Sequence, residues 1–77
     1  MTVNEFRKKV TGLVERNAKV GMKLTLGEKV HTCIGTSESS WGLRYVFDSG
    51  LEFTTSNIVA NIVKCACEGK NWNFEFK

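Results

Sequence analysis

The chain has 77 residues, 42% of them hydrophobic and 25% charged, with a formal net charge of +3 and no proline. A chain this short reads as one domain, residues 1–77, and buries only about 60% of its unfolded surface, which argues against a large enzyme pocket. The apolar content excludes a disordered chain. No apolar run reaches the roughly 18 residues of a membrane span, and MTVNEFRKK lacks the apolar core of a secretory signal.

The cysteines number three, an odd count. Without an export signal they read as reduced thiols in a cytoplasmic protein. The charge is uneven along the chain. Arg7, Lys8, Lys9, Arg16, Lys19, Lys23 and Lys29 outnumber Glu5, Glu15 and Glu28 in the first 31 residues. From residue 32 onward Arg44, Lys64, Lys70 and Lys77 are outnumbered by Glu38, Asp48, Glu52, Glu68 and Glu75. A basic half favours an anionic partner, such as nucleic acid or an acidic protein surface.

The first predicted element is a helix. Thr2-Val3-Asn4-Glu5 has the form of a capping box. Phe6, Val10, Leu13 and Val14 then fall on one face at helical spacing, and the helix should end near Asn17. From residue 21 the period changes to two. Met22, Leu24 and Leu26 alternate with Lys23 and Thr25, and Gly27-Glu28 reads as a tight turn. Val30, Thr32 and Ile34 alternate with His31 and Cys33, and the run TSESS, 36–40, reads as a polar loop.

Trp41, Leu43, Tyr45 and Phe47 alternate with Gly42, Arg44 and Val46. Asp48-Ser49-Gly50 is a hairpin turn, and Leu51 and Phe53 continue as a short strand. Thr54, Thr55 or Ser56 can cap a second helix, whose inward stripe is Ile58, Val59, Ile62, Val63 and Ala66 and which Gly69 ends. Trp72, Phe74 and Phe76 alternate with Asn73 and Glu75 as a terminal strand.

The expected fold is therefore α+β: an N-terminal helix, a three- to four-stranded antiparallel meander, a second helix and a C-terminal strand, with the helices on one sheet face. Trp41, Leu43, Tyr45 and Phe47 are expected beneath the helices. Lys23, Thr25, His31, Cys33 and Arg44 are expected on the other face, which would be open and weakly basic.

Few constellations could carry chemistry. His31, Cys33, Cys65 and Cys67 are the kinds of donor that zinc takes, but C-x-C on a helix sets two side chains about 200° apart, so the pair cannot converge on one ion. Neither a metal nor another cofactor is expected. His31 and Cys33 lie two residues apart in a strand, about 6–7 Å between Cα atoms, without the signature of a nucleophile–base pair. Asp48 and Glu52 flank a turn with no acid–base partner, and the glycines stand singly, so no phosphate loop is present. A non-enzymatic binding protein is the expectation.

For nucleic acid, Lys23, Thr25, His31 and Arg44 would form the contact face of the sheet, with Arg7, Lys8 and Lys9 as a further basic patch on the first helix. The order running from VGMKLTL through WGLRYVFDSG to TSNIVANIVKCAC, about residues 20–67, resembles the small sheet-plus-helix DNA-binding domains of the Apetala type that accompany some phage homing endonucleases. That resemblance implies a phage- or mobile-element-encoded protein whose sheet meets duplex DNA, with Arg44 as the foremost contact. The first helix and the last strand are additions to that domain, and Trp41 and Arg44 fall on opposite faces of their strand. The alternative is a protein-binding module, for example an inhibitor of a host protein, acting through its sheet face or through Trp72, Phe74 and Phe76. The terminal strand can also pair with its copy in a homodimer.

Overall fold

In the computed structural model, which describes residues 2–40 and 42–76, the first helix, α1 (Val3–Asn17), starts at its predicted cap. The Thr2 hydroxyl accepts from the Glu5 amide at 3.2 Å and donates to the Glu5 carboxylate at 3.2 Å. The box is thus closed through the hydroxyl and not through the Thr2 amide. Strands β1 (Lys23–Leu26), β2 (Lys29–Ser39), β3 (Gly42–Phe47) and β4 (Glu52–Phe53) follow, then α2 (Thr55–Cys67) and β5 (Trp72–Glu75). Thr54 caps α2 in a full capping box with Asn57, and Gly69 takes φ 71° just beyond the end, a conformation glycine adopts without strain.

The five strands form one sheet in the order β4-β3-β2-β1-β5, antiparallel throughout. The C-terminal strand therefore returns to lie beside β1, and the meander is extended on that side. The two helices pack on each other and on one face of the sheet. Between the layers lie Val10 and Val14 of α1, Ile58, Val59, Ile62 and Val63 of α2, and Leu24, Cys33, Tyr45, Phe47 and Phe74 of the sheet, with Met22. Phe6 and Trp72 extend this core edge-to-face, their ring centroids 5.7 Å apart. The Tyr45 hydroxyl donates to the Ala18 carbonyl at 3.5 Å and ties the end of α1 to β3.

The strand phases depart from the expectation at β2. Val30 and Ile34 are exposed, while His31 and Cys33 are buried. The reason is the two-residue turn Gly27-Glu28. It pairs Leu26 with Lys29, hence Leu24 with His31. Residues paired across a ladder share a face, so placing Met22 and Leu24 in the core places Cys33 and His31 there too.

A bulge then resets the phase. Cys33 pairs with Phe47 and Gly35 with Val46, so Ile34 is the extra residue. Past it, Thr36 pairs with Tyr45 and Ser37 with Arg44. The polar run 36–39, expected as a loop, is strand. It forms an exposed ribbon with Gly42 and Leu43 that no helix covers, held by pairing and not by burial. Leu43, expected in the core, stands in this ribbon and is exposed. Trp41, expected beside it, lies outside the described residues. At the other end, β5 stops at Glu75, and Phe76 is exposed with its ring 5.4 Å from that of Phe74.

Candidate binding face

Both helices cover one side of the sheet, and the other side is open. Alternation along each strand places Lys23 and Thr25 of β1, Val30, Thr32 and Ile34 of β2, Arg44 and Val46 of β3, Glu52 of β4 and Asn73 and Glu75 of β5 on that side. Three of the predicted contact residues, Lys23, Thr25 and Arg44, are therefore on one side of the sheet, although Arg44, opposite Ser37, stands well along β2 from Lys23, opposite Thr32. Lys23 is exposed, while Thr25 and Arg44 are half-buried.

His31 is not with them. It is 5% exposed and lies on the helix side, its ring edge-on to Phe47 with centroids 6.3 Å apart. Its Nδ1 makes a hydrogen bond with the Ser49 hydroxyl at 2.7 Å. The turn parity that put it there removes it from any contact with a partner on the open face. Cys33 is buried beside it, donating its thiol to the Gly35 carbonyl at 3.3 Å. The two are not hydrogen-bonded to each other, and both are buried.

Arg7, Lys8 and Lys9 are exposed on α1, in the helix layer. The sheet lies between them and the open face. The basic residues thus divide into two surfaces that one flat partner does not touch together.

Charge on the open face is balanced. Lys23 and Arg44 are offset by Glu52 and Glu75, and Lys23 stands directly across the ladder from Glu75. Among the described residues the single ion pair is Lys70 with Glu68, at 3.3 Å, so Lys23 and Arg44 keep their charged heads free of a carboxylate contact.

The centre of the face is apolar. Val30 is 57% exposed and Ile34 61%, both on the middle strand, with Val46 half-buried next to the bulge. The expectation that His31 and Cys33 share the open face leaves Val30 and Ile34, by alternation, on the other, so they were not expected as surface residues. The signal was available: a two-residue turn forces even positions of β1 to share a face with odd positions of β2.

The other thiols are apart. Cys65 is half-buried and Cys67 exposed on α2. Among the described residues no group of three or more His, Cys, Asp or Glu side chains is placed to hold a metal ion. No described helix is long and apolar enough to cross a membrane.

The arrangement defines a class: a two-layer α+β domain with its helices on one side and a bare five-stranded sheet on the other. No protein-family model, no curated protein and no solved structure matches the chain.

Proposed function

We propose that this chain is a small non-enzymatic binding protein that meets another protein through its open sheet face. One observation carries the reading: Val30 and Ile34 stand exposed on the middle strand, on the sheet face that no described helix covers. An apolar centre inside a rim of both charges, here Lys23 and Arg44 with Glu52 and Glu75, is the anatomy of a protein–protein interface. A nucleic-acid face would carry an excess of positive charge, and this one carries none.

A photoreactive side chain placed at Val30 tests it in cells of the source. One discrete protein adduct is expected there, absent when the same group replaces the exposed Ala60 of α2 and lost on adding Ile34→Asp. Equal labelling at both positions would sink the idea.

A second reading keeps nucleic acid as the partner, because Arg44 lies unpaired where the β2–β3 ribbon leaves the covered part of the sheet. A two-stranded ribbon fits a major groove, and the guanidinium fork suits guanine or phosphate. The Apetala-type resemblance supports this reading. Titration with random duplex DNA separates the two: nucleic-acid binding falls steeply with salt, and Arg44→Ala weakens it by about 1–3 kcal/mol if a bidentate contact is lost.

A further inference from the structure

Strand β5 is an edge strand of four residues, and its one charged side chain is Glu75. The Gly27 N–H donates to the Asn71 carbonyl at 2.7 Å, which makes these two a hydrogen-bonded pair. Hydrogen-bonded and non-hydrogen-bonded pairs alternate in an antiparallel ladder. Thr25 with Asn73 and Lys23 with Glu75 are therefore also hydrogen-bonded pairs. It follows that the backbone N–H and C=O groups of Trp72 and Phe74 point away from β1. Natural edges are protected by shortness, by charge and above all lysine, by proline, by a bulge or by a covering element, and of these β5 has its shortness and Glu75. The stretch Trp72-Asn73-Phe74-Glu75-Phe76 has neither lysine nor proline, and its register with β1 is unbroken.

We infer that a second copy of this chain pairs with this edge, β5 against β5 in antiparallel fashion about a two-fold axis through Phe74. The register follows from which groups face outward. Phe74 meets its own copy as a hydrogen-bonded pair, Asn73 lies opposite Glu75 of the second copy, and Trp72 lies opposite Phe76.

Each of these pairs is complementary. The glutamates do not face one another. The Asn73 amide, which already donates to its own Glu75 at 3.1 Å, gains a second carboxylate across the junction. Phe76, 38% exposed in the single chain, gains cover from an indole. Paired residues share a face, so the helices of both copies lie on one side and the two open faces join side by side. This pairing goes beyond the proposed docking of a partner protein and does not depend on it.

Sedimentation analysis of the intact chain over a wide concentration range tests the pairing. A monomer–dimer equilibrium is expected. Asn73→Glu sets glutamate against Glu75 at both symmetric positions, and Kd should rise about 2- to 30-fold. Asn73→Lys should tighten the dimer, and the double variant Asn73→Glu/Glu75→Lys should restore it. All three substitutions lie on the exposed side of the strand; Glu75→Lys also sets like charge across the ladder from Lys23, so a far-UV circular dichroism spectrum like the parent's, and not the melting temperature, confirms that the fold is kept. A chain that stays monomeric at millimolar concentration overturns the inference. So does a dimer that ignores charge at residue 73, or one that Ile34→Asp abolishes, which would place the contact on the open face.

Discussion

His31 is buried with its ring edge-on to Phe47, and the Ser49 hydroxyl is its hydrogen-bond partner. A buried imidazole nitrogen left without that partner loses the bond and keeps the desolvation cost. Ser49→Ala should therefore destabilise the fold by about 1–3 kcal/mol, read from denaturant unfolding; a change near zero would mean that water replaces the hydroxyl. Ile34 is the opposite case, an apolar side chain on the surface. Ile34→Ser should alter stability by no more than about 0.5 kcal/mol, since little is buried there. Ile62 of α2 is fully buried between the layers. Ile62→Ala should cost about 2–5 kcal/mol, the range for a large-to-small change in a packed core.

Strand β2 shows how a single position governs a whole element. Up to Cys33 its odd residues lie on the helix side of the sheet, and from Thr36 its even residues do, beyond the reach of the helices. Ile34 absorbs the difference. Deleting Ile34 leaves every other pair in place, with Cys33 still opposite Phe47 and Thr36 opposite Tyr45. The shortened chain should fold and melt cooperatively, although the local bend of the strand is lost. Deleting Thr32 removes one residue where no bulge compensates. His31 and Cys33 then cannot both face the core, and one end of the strand must leave its register. Circular dichroism melts of the two deletions check this: a folded Thr32 deletion beside an unfolded Ile34 deletion would contradict the assigned pairing.

At the scale of the molecule, the two layers give the chain two different surfaces. The helix layer carries Arg7, Lys8 and Lys9, and the sheet side carries an apolar centre with balanced charges. If the sheet side is the working surface, Val30→Asp should abolish partner binding, and Lys8→Glu should leave it nearly unchanged, because rim and distant charges act mainly on association rate. Binding isotherms with the crosslinked partner check both. The reverse pattern would move the site to α1 and return nucleic acid to first place, since exposed lysines there track phosphate.

Element order, helix limits, caps and the inward stripes of both helices were legible in the sequence, because each depends on neighbours within a few residues. Phe6, Val10 and Val14 at helical spacing mark one face whatever lies against it. The run Thr54-Thr55-Ser56 offers the cap of α2, for which the structure uses Thr54, and the terminal glycine marks where the helix ends. The face of β2 was not legible from its own residues. Val30, Thr32 and Ile34 are as suited to a core as His31 and Cys33, and the choice falls to the partner strand through the turn. Strand 36–39 was hidden for a similar reason: polar on both sides, it is made by pairing with β3, which no local pattern encodes. Which basic residues share a surface was likewise decided by the layering. The chain sets Lys23 and Arg44 on one side of the sheet and separates both from His31 and from α1 only when the sheet has formed and the helices have chosen one side of it.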